Sequence, residues 1–190
     1  MIITIASFNG GVGKTTTAVH LARYLSKKGK TLLVDGDPNR SSSDWAAAGL
    51  LPFAVMNEEQ ASAEARNFKH VTIDTKARPD ESDLKELAAH TNLLIVPTTP
   101  DALALKATLK MLATLKGINA SNYKLLLTKI PPPPSHDGAD AVELIKMSRL
   151  PSFKTQIKRY ACYKKPLCKA CWLVKSVTAA HEPPRPLTSN

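Results

Sequence analysis

The chain alternates between short, continuous apolar runs and longer segments whose apolar residues recur at helical spacing. The continuous runs are typical of strands buried on both faces, and they cover residues 2–6, 30–35, 70–74, 92–97 and 123–128. Weaker patterns predict two further strands, at 53–56 and 151–157. Helical spacing, or a composition rich in Ala and Glu, predicts helices at 18–25, 45–48, 58–66, 80–89, 101–116 and 139–149.

Strands and helices that alternate in this way indicate an α/β domain. We therefore expect a mainly parallel, twisted sheet with right-handed crossovers and helices on both faces. In sheets of this kind, ligands bind beyond the carboxyl ends of the strands. Functional residues are thus expected in the turns that follow the strands, and not in the turns that precede them.

A glycine-rich segment separates the first predicted strand from the first predicted helix, which is expected to open on Lys14 and Thr15. It reads Ser-Phe-Asn-Gly-Gly-Val-Gly-Lys-Thr-Thr-Thr from residue 7 to residue 17. Glycines let the backbone approach phosphate oxygens, and the loop N–H groups with the helix N-terminus attract negative charge. Lys14 would reach the β- and γ-phosphates, and the Thr15 hydroxyl would ligate Mg²⁺. The strict P-loop pattern has glycine where this chain has Phe8, so the segment predicts a deviant P-loop in a P-loop NTPase-like fold; the alternative is a glycine turn that binds nothing.

Three aspartates follow predicted strands at that same edge of the sheet. Asp74 closes an apolar strand, which is where a Walker B carboxylate holds Mg²⁺, and Asp35 ends the second strand, where it can support the metal shell. With Thr15 they form the predicted metal site. Asp37 lies in the loop after the second strand, and there it could position or activate the attacking water. Each aspartate could instead be a helix cap or a turn former.

Length and composition restrict the class of protein. With 190 residues, 43% of them hydrophobic and 22% charged, the chain is expected to form one globular domain of ordinary size. The beginning Met-Ile-Ile-Thr lacks a basic segment and is interpreted as strand, not as a signal peptide. All 3 cysteines follow position 160 and give no disulfide framework, so we expect a reducing cytoplasm.

The net charge of +10 and the sequence pI of about 9.6 indicate a polyanionic partner, either nucleic acid or an anionic membrane surface. The alternative is a basic face that only improves solubility. The excess of positive charge is concentrated after Pro151. This part of the chain contains one acidic residue, Glu182, and the basic residues Lys154, Lys158, Arg159, Lys164, Lys165, Lys169, Lys175 and Arg185.

Taken together, these motifs resemble the ParA/MinD family of deviant Walker-box ATPases. The resemblance rests on residues 9–17, on Asp-Gly-Asp-Pro-Asn at 35–39, on Ile-Asp-Thr-Lys-Ala-Arg-Pro at 73–79 and on Pro-Thr-Thr-Pro-Asp at 97–101. It is closest to the ParA-type partition ATPases, and the four prolines at 131–134 are most like the McdA type, which spaces carboxysomes over the nucleoid. The resemblance covers a predicted ATPase domain at 1–160 and leaves a basic, proline-broken tail at 161–190, expected to be partly disordered or diverged.

The resemblance implies an ATP- and Mg²⁺-dependent switch in the cytoplasm, associated with the nucleoid and not with a membrane. ATP would close two copies into a sandwich dimer that binds DNA non-specifically, and an adaptor of ParB or McdB type on the cargo would stimulate hydrolysis. Asp37 and Lys14 would be the catalytic residues. Thr128 and Pro131 would contact the adenine, and the nucleotide would further be bound by Asn9, Gly10, Gly11, Val12, Gly13, Lys14, Thr15 and Thr16.

Two departures from the family pattern leave alternatives open. The family's loop begins with a lysine that reaches the partner's phosphates, and Asn9 carries no charge for this, so we expect slow or unusual hydrolysis. The chain could then be a nucleotide-gated scaffold with little hydrolysis. A MinD-like membrane-cycling ATPase would need a terminal amphipathic helix, which Pro183, Pro184 and Pro186 oppose. A metabolic or metal-cluster enzyme, and a zinc site formed by Cys162, Cys168, Cys171 and His181, are weaker alternatives.

Overall fold

The computed structural model describes residues 1–37, 42–43 and 51–160. Within these ranges the strands are β1 (Ile2–Ser7), β2 (Thr31–Gly36), β3 (Ala54–Asn57), β4 (His70–Ala77), β5 (Leu93–Thr98) and β6 (Tyr123–Leu127). The α-helices are α1 (Lys14–Ser26), α2 (Glu58–Glu64), α3 (Glu81–His90), α4 (Ala102–Gly117) and α5 (Asp137–Met147), and a 3₁₀ turn at Ala65–Asn67 follows α2.

The six strands form one sheet in the order β3-β2-β4-β1-β5-β6, and all of their pairings are parallel. The prediction of an α/β fold with a parallel sheet is therefore confirmed. After β1 the chain builds one half of the sheet with β2, β3 and β4, and it then crosses to the other side of β1 for β5 and β6. The carboxyl end of β1 thus lies at the position where the strand order reverses, which is where open α/β sheets bind ligands.

Helices cover both faces of the sheet because neighbouring strand residues point to opposite sides. On one face, Ile3, Ile5 and Ile95 pack with the apolar residues of α1. On the other face, Leu94 and Val96 pack with α3, α4 and α5, while α2 packs on β2 and β3, at the β3 edge of the sheet. The nearly continuous apolar character of the strands follows from this double burial.

The segment 151–157 does not form the regular strand that its apolar pattern predicts. It runs beside β6 and is joined to it by an isolated parallel bridge between Leu125 and Ser152; a second bridge, between Ile130 and Lys158, lies beyond the ends of both segments. Pro151 has no N–H to donate and contributes only its carbonyl, which accepts from the Leu125 amide at 2.8 Å. The pairing is therefore intermittent, although the segment still closes the edge next to β6.

The first helix begins at Lys14, where the Lys-Thr after the glycine turn predicts it. The last helix, Asp137–Met147, begins and ends two residues earlier than predicted, and one predicted helix cannot be compared. The helix predicted at 45–48 lies outside the described residues, as does the tail at 161–190. No helix within the described part of the chain is long and apolar enough to cross a membrane.

Candidate functional site

The glycine loop connects the carboxyl end of β1 to the first turn of α1. Gly11 and Gly13 have φ angles of 71° and 90°, in the left-handed region that favours glycine, and Gly13 is the N-cap residue of α1. A Cβ atom added at Gly10, Gly11 or Gly13 would meet no atom within 4 Å. The space beside the loop at these three positions is therefore open, while Val12 anchors the loop in the core with 2% of its surface exposed.

The end of β6 holds the loop from the side. The Thr128 hydroxyl is buried and donates to the carbonyl of Val12 at 2.7 Å and to the carbonyl of Thr98 at 3.1 Å. The next residue, Lys129, donates from its ammonium group to the carbonyl of Gly11. The loop is thus fixed by contacts with a strand that lies two positions away in the sheet.

Asp35 and Asp74 lie next to each other because β2 and β4 pair with these two residues in register. Both are buried, with 2% and 0% of their surfaces exposed. Asp74 also pairs with Ile5 of β1, which places it beside the strand that leads into the glycine loop. Asp37 follows the end of β2, is partly buried, and donates its amide N–H to Asp35 Oδ1 at 3.3 Å.

Two serines bind these carboxylates from a segment that follows Asp37 in sequence. The Ser42 hydroxyl is completely buried and donates to Asp74 Oδ2 at 2.9 Å. Ser43 donates to Asp35 Oδ2 twice, from its amide at 2.8 Å and from its hydroxyl at 2.7 Å. The two buried carboxylates are therefore each fixed by one serine.

Burial raises the pKa of Asp74 to about 6. The hydroxyls of Thr15 and Ser42 and the positive charge of Lys14 lower it, whereas the negative charge of Asp35 raises it further. Asp74 Oδ1 is buried and has no hydrogen-bond partner among the described residues. A buried carboxylate oxygen without a donor is costly, so this oxygen is the least satisfied group of the site.

The structure brings the predicted loop residues, Lys14, Thr15, Asp35 and Asp74 to one edge of the sheet. Thr128 lies there too, through its bond to Val12. Pro131 is half-buried and three residues further on, and the contacts of this segment with the loop are made by Thr128 and Lys129 instead.

Sequence reasoning missed Ser42 and Ser43 as parts of the site. It assigned the segment from Thr128 to Pro131, which contains Lys129, to the adenine, and did not predict the bond from Lys129 to the glycine loop. The only signal for the serines was the Ser-Ser-Ser run that closely follows the aspartates of the β2 turn. Within the ranges that the structure describes, no three His, Cys, Asp or Glu side chains form a group that could hold a metal ion by themselves. The cysteines and the histidine of the zinc alternative lie outside those ranges.

Comparison with known proteins agrees with this geometry. Residues 3–165 match the family model described as the CobQ/CobB/MinD/ParA nucleotide binding domain. The chain is 29% identical, over 86% of its length and 79% of the relative's, to the maintenance of carboxysome distribution protein A of Gloeobacter kilaueensis.

Two solved structures share the fold over almost the whole chain. Apo McdA of Cyanothece has a TM-score of 0.71 and 17% identity, with 94% of both chains covered. A Borrelia burgdorferi protein described as a putative plasmid partition protein, bound to AMPPNP, has a TM-score of 0.73 and 18% identity, covering 93% of this chain and 94% of the other. At such identities the similarity establishes the fold alone, and it confirms the P-loop NTPase-like architecture.

Proposed function

The chain belongs to the CobQ/CobB/MinD/ParA nucleotide-binding family, and from this membership we propose that it is a ParA-type ATPase whose nucleotide state controls attachment to DNA. One observation carries the proposal. An open glycine loop ends in Lys14 and Thr15. The charge of Lys14 and the hydroxyl of Thr15 lower the pKa of Asp74, a buried carboxylate with one oxygen that has no hydrogen-bond partner among the described residues. That combination suits a nucleoside triphosphate bound with a divalent cation.

The phosphate chain would be bound by the loop backbone from Gly10 to Gly13. The positive φ angles of Gly11 and Gly13 support this, because a side chain there would be strained and would fill the open space beside the loop. The N-terminus of α1 adds the partial positive charge of the helix dipole. Lys14 and Thr16 complete the predicted phosphate contacts, with Asn9 at the beginning of the loop.

A magnesium ion would be held by Thr15 and by the carboxylates of Asp74 and Asp35, directly or through water. The residues fit this role, since hydroxyl and carboxylate oxygens are the ligands Mg²⁺ prefers and Asp74 Oδ1 has no donor among the described residues. When bound, the ion would neutralise charge on the phosphates. Its positive charge would also keep Asp74 ionised despite burial.

Hydrolysis requires a group that orients the attacking water, and Asp37 is the candidate that follows β2. It lies two residues from Asp35 and is partly buried at the same edge. Asn9 supports the expectation that hydrolysis is slow, because a neutral amide stabilises developing phosphate charge less than a lysine does.

The nucleotide state would reach the rest of the molecule through the segment of Ser42 and Ser43. These two serines bind the same carboxylates that would hold the metal ion. A change in the coordination of Asp35 or Asp74 therefore changes what this segment can bind. We propose that this coupling controls a homodimer that forms with ATP.

Non-specific DNA binding is supported by charge in the described part of the chain as well as in the tail. The first 34 residues contain no Asp or Glu. At the amino edge of the sheet, the Lys69 ammonium donates to the carbonyl of Lys28 at 3.2 Å, next to Lys27 and Lys30. These four lysines are exposed and form no ion pair within the described ranges. Such a surface suits a phosphate backbone, whose binding weakens steeply with salt.

The cargo is proposed from the named relatives, one concerned with carboxysome distribution and one with plasmid partition. We propose a cargo of this kind, a plasmid, a chromosome or a carboxysome, and an adaptor of ParB or McdB type that stimulates hydrolysis. The protein would then act in the cytoplasm, on the nucleoid.

The experiment is a DNA-binding titration of the full chain with ATP, with ADP and without nucleotide, at low and moderate salt. A labelled duplex of arbitrary sequence reports binding by anisotropy, and phosphate release is followed in parallel. We expect binding that requires ATP and weakens with salt, together with slow phosphate release.

Other outcomes separate the alternatives. ATP-dependent dimerisation without phosphate release would favour the nucleotide-gated scaffold, for which Asn9 is the supporting observation. Sedimentation with anionic liposomes in ATP, without DNA binding, would favour the membrane-cycling alternative. DNA binding that is equal in all nucleotide states would contradict the proposed switch.

A further inference from the structure

A second lysine reaches the glycine loop from the end of β6. The Lys129 ammonium donates to the carbonyl of Gly11, and the preceding Thr128 hydroxyl donates to the carbonyl of Val12 at 2.7 Å. Two consecutive residues thus donate to two consecutive loop carbonyls. The donor and acceptor residues of the two bonds are 118 and 116 positions apart in the sequence. The contact belongs to the tertiary structure, because no local pattern joins these segments.

The backbone at Lys129 has a φ of 52°, a left-handed conformation that is unfavourable for a residue with a Cβ atom. Such a conformation persists where the surroundings determine it, and it clusters at functional sites. Here Thr128 is bonded to Thr98 and Val12 on one side, and on the other the Ile130 amide donates to the carbonyl of Ile157 at 3.1 Å. Lys129 is thereby held at the loop, with its side chain exposed.

The loop itself has little positive charge for a ligand as anionic as a triphosphate. Between residues 7 and 17, Lys14 is the only charged side chain, and it is buried with 6% of its surface exposed. The charge of Lys14 already acts on Asp74. Lys129 forms no ion pair in the described ranges, so its charge is available to a ligand that enters the loop.

On the premise that the loop binds ATP, we infer that Lys129 is a phosphate-binding residue of this site and supplies positive charge that Asn9 lacks. A phosphate oxygen is a stronger acceptor for an ammonium group than a neutral carbonyl is. The Lys129 ammonium therefore exchanges the Gly11 carbonyl for a phosphate oxygen when nucleotide occupies the loop. The additional phosphate of ATP makes this contact stronger for ATP than for ADP.

Equilibrium binding of MgATP and MgADP to the full chain tests this inference. Lys129→Met keeps the aliphatic stem and removes the charge, and we expect it to weaken ATP binding about tenfold and ADP binding clearly less. Lys129→Arg retains most of the affinity because it keeps the charge. Lys116→Met removes the same charge from the exposed end of α4, at the opposite edge of the sheet, and is expected to bind like the wild type.

Three results would overturn the inference. The first is unchanged ATP affinity in Lys129→Met. The second is an equal loss of ATP and ADP affinity with a lower urea midpoint, since Lys129 would then only clamp the loop. The third is a double variant, Asn9→Lys with Lys129→Met, that binds ATP no better than Lys129→Met alone. The charges at the two positions would then not be interchangeable. If neither the wild type nor Lys116→Met binds ATP, the proposed function is overturned as well. That result differs from the three above, in which the wild type binds ATP.

Discussion

Ser42 and Asp74 are both completely buried, and the serine hydroxyl donates a 2.9 Å hydrogen bond to Oδ2 of the carboxylate. The other carboxylate oxygen has no partner among the described residues, and the Thr15 hydroxyl acts on the same carboxylate, where it lowers the pKa of Asp74. The two residues come from segments separated by 32 positions. This contact places Ser42 at the centre of the candidate site.

Ser42→Ala is expected to lower the free energy of unfolding by about 1–3 kcal/mol at pH 8, because it removes a hydrogen bond from a buried carboxylate. Urea denaturation measures the effect. The control is Ser62→Ala on α2, where an exposed hydroxyl donates to the carbonyl of Glu59 at 2.7 Å, and there the change should stay within about 0.5 kcal/mol. Equal stability of the two variants would show that the buried contact contributes nothing.

Asp74→Asn is expected to stabilise the nucleotide-free protein at pH 8. The pKa of Asp74 is raised from 3.8 to about 6, so the native state holds this proton to higher pH than the unfolded state does. The free energy of unfolding therefore falls as the pH rises from about 4 to about 7, by up to about 3 kcal/mol. Asn carries no such charge and avoids this loss.

Urea denaturation of the wild type and of Asp74→Asn at several pH values measures the difference in unfolding free energy. It should be largest at pH 8 and shrink towards pH 4. Burial lowers the pKa of His20 to about 4, which acts in the opposite direction, but His20 is present in both proteins and cancels in the difference. A difference that does not change with pH would contradict the burial of an ionised Asp74.

Gly13→Ala and Gly10→Ala separate the two roles of the loop glycines. Both put a methyl group into the open side of the loop, so both should weaken ATP binding about tenfold or more. Only Gly13 has a positive φ, of 90°, so only its substitution should also lower the free energy of unfolding, by about 1–2 kcal/mol. Binding of ATP by Gly10→Ala at wild-type affinity would argue against the loop as the phosphate site.

Asn9→Lys is expected to raise the rate of phosphate release about tenfold or more, because it adds positive charge where the triphosphate would develop negative charge. Single-turnover phosphate release measures the rate independently of product dissociation. Asn9→Gln is the matched control, because it lengthens the side chain without adding charge, and it should not raise the rate. If Asn9→Lys hydrolyses ATP no faster than the wild type, the charge of residue 9 does not limit hydrolysis.

The sequence predicts the fold well where burial alone decides it. Continuous apolar runs such as Leu93–Thr98 can only be strands that are covered on both faces, and their alternation with amphipathic segments determines the α/β class. The carboxyl ends of these strands then bring the glycine loop, Asp35 and Asp74 to one edge. That part of the site follows from parallel pairing, without knowledge of any contact.

The remaining features depend on tertiary contacts that no local pattern encodes. The bonds from Ser42 to Asp74 and from Lys129 to Gly11 join distant segments, and serine and lysine are common at exposed positions. The beginning of α1 is predicted by the Lys-Thr after the glycine turn and not by apolar spacing, which starts only at residue 18; Gly13 is the N-cap residue there. The segment 151–157 looks like a strand locally but pairs with β6 only intermittently.

MgATP is proposed to bind between the glycine loop and Asp74. Calorimetric titration of the full chain with ATP, with Mg²⁺ and with a chelator, tests this binding when Lys14→Met is titrated in parallel. We expect saturable binding by the wild type that weakens about tenfold or more without Mg²⁺, and a comparable or larger loss in a Lys14→Met variant that retains its helical circular dichroism. Equal ATP affinity in the folded Lys14→Met variant, or affinity indifferent to Mg²⁺, would contradict it.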